Sequence, residues 1–262
     1  GNSGEFVLVV LNGDTGRSIK TDWKTIVYSI FNRIDEKIFT KAPDPFAIKN
    51  ISELLADAPS IKVFPTRENH DYHINESDAD IIRKYQLDIL LKFGFENLSC
   101  ENLNVSTYGT WFYYHGDDRV SKEGPPGFWE AVERWPETSA ALLATGGWFS
   151  PNRVLFRSHL VTYPLSPARH RSYYFWATTP FLSRQVDLLQ RLGEEKYFQE
   201  TGKFNASSLS KIKGYKPPSN FLAAISFAKI IVRLVKEFSL RFFYAGQWFL
   251  LFSLKGNGSL DF

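Results

Sequence analysis

The sequence predicts an α/β fold built on a mainly parallel, doubly wound sheet. Three observations carry this. Phe6-Val7-Leu8-Val9-Val10-Leu11 is a continuous apolar, β-branched run stopped by Asn12-Gly13-Asp14, the pattern of a strand buried on both faces. Stretches of helical period then alternate with further short apolar runs as far as His115. The last of these, Thr110-Trp111-Phe112-Tyr113-Tyr114, stops at His115, and a Gly, Asp117, Asp118 and Arg119 follow at once. In such sheets ligands bind beyond the carboxyl ends of the strands, which is where these polar groups fall.

Taken in order, Trp23 to Phe39 carries apolar residues at 23, 26, 27, 30, 31, 34 and 38, which predicts an amphipathic helix. Pro43 and Pro45 end it, and Ile48 to Leu55 leads to a strand at Ile61-Lys62-Val63-Phe64, closed by Pro65. His70 and His73 lie in a polar loop without a third ligand fixed by pattern, so they are read as solvated and no metal is expected. Asn75 or Ser77 caps a helix from about Ala79 to Tyr85. A strand from Leu87 to Phe93 exits at Gly94, and a short helix from Cys100 to Ser106 precedes the aromatic strand.

Beyond it, Phe128, Trp129 and Trp135 make either core packing or an aromatic wall suited to a sugar or pterin face. Glu130 and Glu133 are read as solvated helix carboxylates. Strands Ser139 to Leu143 and Val154 to Val161 are joined through Gly146-Gly147, with His159 inside the second read as packed or hydrogen-bonded. Ala168 to Leu192 is read as one helix, whose basic start at Arg169, His170 and Arg171 either is solvated or faces an anion. Gly193 to Asn220, rich in Lys, Ser, Gly and Pro, is read as a linker. Phe221 to Phe238 makes a basic amphipathic helix that packs on a partner domain or lies as a peripheral contact on a membrane surface. Gln247 to Leu254 is read as a stray strand. The organisation expected is one α/β domain over 1–192, a linker over 193–220, and a helix with the first strand of a further domain over 221–262.

Composition narrows the function. With 262 residues, 16% aromatic and 23% charged, the chain folds around a large core. A net charge of +3 with no concentrated basic stripe makes nucleic acid an unexpected partner. The lone Cys100 precludes an internal disulfide and fits a reducing, cytoplasmic setting. The uncharged, aromatic-rich run Phe242 to Leu254 falls short of the ~18 residues of a membrane span. No Met occurs, and the start Gly1-Asn2-Ser3-Gly4 is that expected of a fragment.

The strand ending in His115, the His115-Gly116-Asp117-Asp118-Arg119 turn, the run Gly124-Pro125-Pro126-Gly127-Phe128-Trp129-Glu130 and the later Glu137 to Leu143 strand resemble the N-terminal domain of the formyltransferase family. The likeness covers about residues 5 to 190. It is nearest to a branch in which this domain precedes a glycan-processing β-propeller. The resemblance implies a Rossmann-like sheet whose first strand-helix unit is missing here, with Phe6 to Leu11 as the second strand and Gln247 to Leu254 as the first strand of the propeller. With that edge open, poor solubility is expected. It implies 10-formyltetrahydrofolate as formyl donor and an amino sugar, glycolipid or other carbohydrate as the small-molecule substrate. Gly94 is placed at the border of the folate pocket and Trp129 beside the site.

Formyl transfer in that family uses an Asn and a His two apart on one strand and an Asp from a later loop. His115 matches the His with a shift of one residue; without the shift Tyr114 takes its place. The Asn position falls on Tyr113 or Phe112, and Ser150 stands where the Asp is expected. A Ser cannot hold an imidazolium as a carboxylate does. The sequence therefore predicts a diverged site with His115 as base, Asp117 or Asp118 as its partner, Arg119 as an anion clamp, and Tyr113, Trp129, Ser150 and Gly94 lining the substrate. The rival expectation is a catalytically inactive module that binds a ligand or organises the adjacent propeller.

Overall fold

The computed structural model describes residues 8–12, 23–39, 43–51, 53, 55–68, 71–93, 104–115, 124–147, 153–201 and 217–255. It is a mixed α/β structure with both parallel and antiparallel pairings. Strands β1 (Val9–Asn12) and β2 (Ser60–Val63) pair in parallel, with helix α1 (Ile26–Phe39) between them in the chain, entered through a 3-10 turn at Trp23–Thr25. β3 (Thr66–Glu68) and β4 (Asp71–His73) form an antiparallel hairpin. His73 therefore lies on a strand and not in a loop, while His70 lies outside the described residues. Helix α2 (Glu76–Arg83) follows, and Asn75 is its cap, its side chain accepting from the Asp78 N–H at 2.8 Å. Val63, Ala79, Ile82 and Val105 close a small core between this helix and the β1–β2 pair.

A four-stranded sheet holds the centre, in the order β5 (Leu90–Lys92), β6 (Thr110–His115), β7 (Glu137–Thr145), β8 (Arg153–Val161). β5 runs parallel to β6; β7 and β8 are antiparallel to their neighbours. Among the described residues three of the five pairings are antiparallel, so the mainly parallel sheet of the sequence reading is confined to β1–β2 and β5–β6. Two glycines with positive φ, Gly146 and Gly147, begin the β7–β8 connection. They sit so close to the β6 entry that a Cβ on Gly147 would lie 2.7 Å from the Gly109 nitrogen. From Thr138 to Thr145 every β7 residue is buried, because both faces of the strand are covered. One face packs Trp111, Leu142, Ala144 and Leu155 against helices, and the other packs Ala141, Leu143 and Val154 with Phe112 and Tyr114.

Those helices are α4 (Pro167–Thr178), α5 (Pro180–Leu192) and α6 (Glu194–Thr201). The single helix expected from Ala168 to Leu192 is two, because Pro180 has no N–H and its ring would clash with the carbonyl four residues back. The linker reading fails over its first part. Gly193 ends α5 with φ +70°, and α6 sends Tyr197 into the core, where its hydroxyl donates to Gln185 Oε1 at 2.9 Å and its ring stacks on Trp111. A composition rich in charge concealed that one buried face.

Helices α3 (Phe128–Glu133) and α7 (Asn220–Lys255) complete the described fold. Phe31 of α1 stacks on Phe227 of α7 with centroids 3.4 Å apart, and Tyr28 and Phe128 pack edge to face beside them. Arg233 of α7 donates to the carbonyls of Ala131, Val132 and Pro164, satisfying the open end of α3. The expected stray strand at Gln247 to Leu254 is instead the continuation of α7. A short apolar run does not distinguish strand from helix by period, and here the chain leading into it is already helical. The short helix expected from Cys100 has its first residues outside the described set; Ser106, at its end, makes an isolated parallel bridge to Leu87.

Candidate functional site

His115 is the last residue of β6 and sits opposite Ala140 of β7. Alternation along the strand sends Trp111 and Tyr113 to the helix-covered face together with it. Its ring lies face to face on Phe175 of α4, with centroids 3.9 Å apart and planes at 11°, and meets Tyr174 edge-on at 5.3 Å. Nε2 is 3.2 Å from Thr178 Oγ1. The Thr178 hydroxyl donates to the Phe175 carbonyl at 2.8 Å, so towards His115 it can only accept. That fixes the proton on Nε2 and leaves the lone pair on Nδ1. Burial pushes the pKa of His115 down to about 4, so the ring is neutral at pH 7. Its proton affinity is then far below what serves a general base near neutral pH.

Tyr113 packs beside His115, and its hydroxyl accepts from the Leu182 N–H in the first turn of α5 at 3.4 Å. Burial raises its pKa above the ordinary 10. Asp117, Asp118, Arg119, Gly94 and Ser150 lie outside the described residues, so the proposed partners of His115 have no stated geometry.

Trp129 belongs to a different packing group. With Val132 and Glu133 of α3 and Leu222, Ile225, Ser226 and Lys229 of α7 it lines a groove of about 360 Å³. Trp129 packs edge-on against Phe128, which faces the α1–α7 cluster and not the His115 side of the sheet. Of the three aromatics, Phe128 is core, and Trp129 alone lines the groove, with a carboxylate and an ammonium beside it and away from His115. Glu130, read as solvated, is buried at 6% exposure because the α3 face that carries it turns inward.

Three polar groups have partners in the structure that the sequence does not show, and His170, expected at a solvated or anion-facing helix start, is one of them. Asp35 of α1 is buried, and its Oδ2 accepts from the Ala168 N–H at 2.7 Å, while Ser166 caps the same helix at Arg169 N. Burial raises its pKa above the usual carboxylate value against the opposing pull of these hydrogen bonds and Arg171. The second is His170, buried at 1%. Its Nδ1 accepts from the Tyr163 N–H, so Nε2–H donates to Thr138 Oγ1 at 2.7 Å, and Thr138 in turn meets Thr162. Gly127, φ +72°, allows the close approach of this ring: a Cβ there would lie 2.9 Å from His170 Cδ2. The third is the α3-capping Arg233 described above. No local pattern encodes these contacts, because each has a partner far away in the chain.

The basic start of α4 needs no external anion. Arg171 pairs with Glu36 and reaches Asn32, Arg169 donates to the Tyr163 and Tyr173 hydroxyls, and Asp35 with Ser166 takes the helix N–H groups. Among the described residues no group of three or more His, Cys, Asp or Glu side chains could hold a metal ion. No family model matches the chain, and no curated protein matches it.

Proposed function

We propose that the chain is a formyltransferase-like, Rossmann-like α/β module that recognises a carbohydrate at the Trp129 groove, with His115 acting as a packing residue. The observation that carries this reading is the groove itself: an indole, a carboxylate and an ammonium line one apolar cleft, the mixture that stacks on a sugar face and hydrogen-bonds its hydroxyls. His115 supports it from the other side, being stacked, hydrogen-bonded and of low proton affinity. The Asn and Asp of the family chemistry are replaced by aromatics and Ser150.

The second reading is a diverged transferase that uses 10-formyltetrahydrofolate, with His115 as base and Asp117, Asp118 and Arg119 beside it. It is favoured by the position of His115 at the carboxyl end of β6, next to the parallel partner β5. Calorimetric titration separates the two. Amino sugars, nucleotide sugars and the folate donor are titrated into the wild type, Trp129→Ala and His115→Ala. Sugar binding lost in Trp129→Ala and kept in His115→Ala is the expected result. Folate binding that depends on His115 would establish the transferase instead.

A further inference from the structure

We propose that the outer face shared by α1 and the second half of α7 docks on an anionic lipid surface. The inference rests on these two helices and is independent of the Trp129 and His115 readings.

α1 presents Ile30, Ile34 and Ile38 at 54, 50 and 64% exposure, one helical turn apart, with Trp23 at 73% in the preceding turn. α7 turns Ala223, Phe227 and Ile230 into the domain and leaves Ile231, Val235 and Phe238 at 52, 60 and 61% exposure. The two exposed stripes flank one seam. Phe31 on Phe227 closes it, and the residues next round each helix on the outer side are Ile30 and Ile34 on α1 and Ile231 on α7. From Val235 to Leu240 every side chain is exposed, so the helix runs on past its contacts with α1 and α3. Apolar area of this extent marks an interaction face.

Charge selects the occupant. On α7 the exposed charges are Lys229 and Lys236 against Glu237 as far as Leu240, and on α1 the exposed charges beside the isoleucine stripe are Arg33 and Lys37. A broad apolar band edged with cations and carrying aromatics is the pattern of a helix lying in a lipid interface. The spacing 224, 228, 231, 235, 238 and 242 also suits a paired helix, but a second copy would meet Ile225, Val232 and Ser239 at the flanking positions, with no opposite charges to set register. No helix among the described residues is long and apolar enough to cross a membrane, so the contact is in the interface plane.

The test is co-sedimentation of the full chain with phosphatidylcholine vesicles, with and without phosphatidylserine. Binding to the phosphatidylserine vesicles, weakened by salt, is expected. Val235→Glu/Phe238→Glu should lower it at least about tenfold, and so should Lys37→Glu/Lys236→Glu, since a cation near such a surface contributes about 1 kcal/mol. Both pairs are exposed, so an unchanged urea midpoint checks the fold, and the lysine pair decides if the glutamate pair misfolds. Binding to neither vesicle, or equal binding by the variants, overturns the proposal. So does a concentration-dependent dimer by light scattering that the glutamate pair abolishes without any vesicle binding, which assigns the face to a second copy.

Discussion

Lowering the pH from 7 to 5 is expected to destabilise the fold by about 2 kcal/mol through His170 alone. The ring is buried with both nitrogens committed, one accepting from Tyr163 N and one donating to Thr138, and a second proton would displace the Tyr163 bond. Burial holds its pKa near 4, against 6.5 when exposed. Between these values the unfolded chain binds a proton that the folded chain refuses. The stabilisation is thus fully present above about pH 6.5 and is lost as the pH falls towards 4. At pH 5 the unfolded ring is almost wholly protonated and the folded ring hardly at all, which gives the ~2 kcal/mol. The assay is urea unfolding followed by tryptophan fluorescence at both pH values, for the wild type and His170→Gln. The variant should lose about this much of the pH dependence. An unchanged pH dependence, or a His170 ring proton titrating near 6.5 by NMR in the folded protein, would refute the reasoning.

Three further outcomes are expected. Arg233→Met strands the carbonyls of Ala131 and Val132, so amide exchange in the first half of α7 should rise while β7 stays protected, with a loss of roughly 2 kcal/mol in urea unfolding; equal exchange in both would refute the capping role. Gly127→Ala forces a Cβ against His170 at positive φ and should cost on the order of 1–3 kcal/mol, a cost that a neutral result in the same assay would disprove. Because burial raises the Asp35 pKa, its ionisation works against the fold as pH rises through that value. Asp35→Asn, which keeps an acceptor for Ala168 N–H, should therefore equal or exceed the wild type in melting temperature at pH 8, whereas Asp35→Ala should fall about 1–2 kcal/mol below it.

Much of the architecture is legible in the chain because it is written in local chemistry. The period of Trp23 to Phe39 places α1, the Asn75 side chain places the start of α2, and Gly146-Gly147 places the β7–β8 turn. Pro180 is equally local, and it divides α4 from α5. The site was less legible. His115 stands at a strand end as the pattern says, but a strand end in itself does not say whether the ring meets solvent or Phe175. Nothing local to Trp129 separates core packing from a groove wall, because the residues it faces, Leu222, Ile225 and Lys229, lie far along the chain.

The sequence by itself determined the α/β class, most helix and strand positions, and which residue types stand at the end of β6, since periodicity, capping and turn chemistry act over a few neighbouring residues. Tertiary structure alone decided what those residues do. It decided that His115 is desolvated and stacked, that His170 and Asp35 are interior, that Tyr197 belongs to the core, and that the two helices carrying exposed isoleucine, valine and phenylalanine lie side by side. The reason is that proton affinity, burial and surface contiguity depend on groups brought together across the chain, and no local pattern encodes the distance between them.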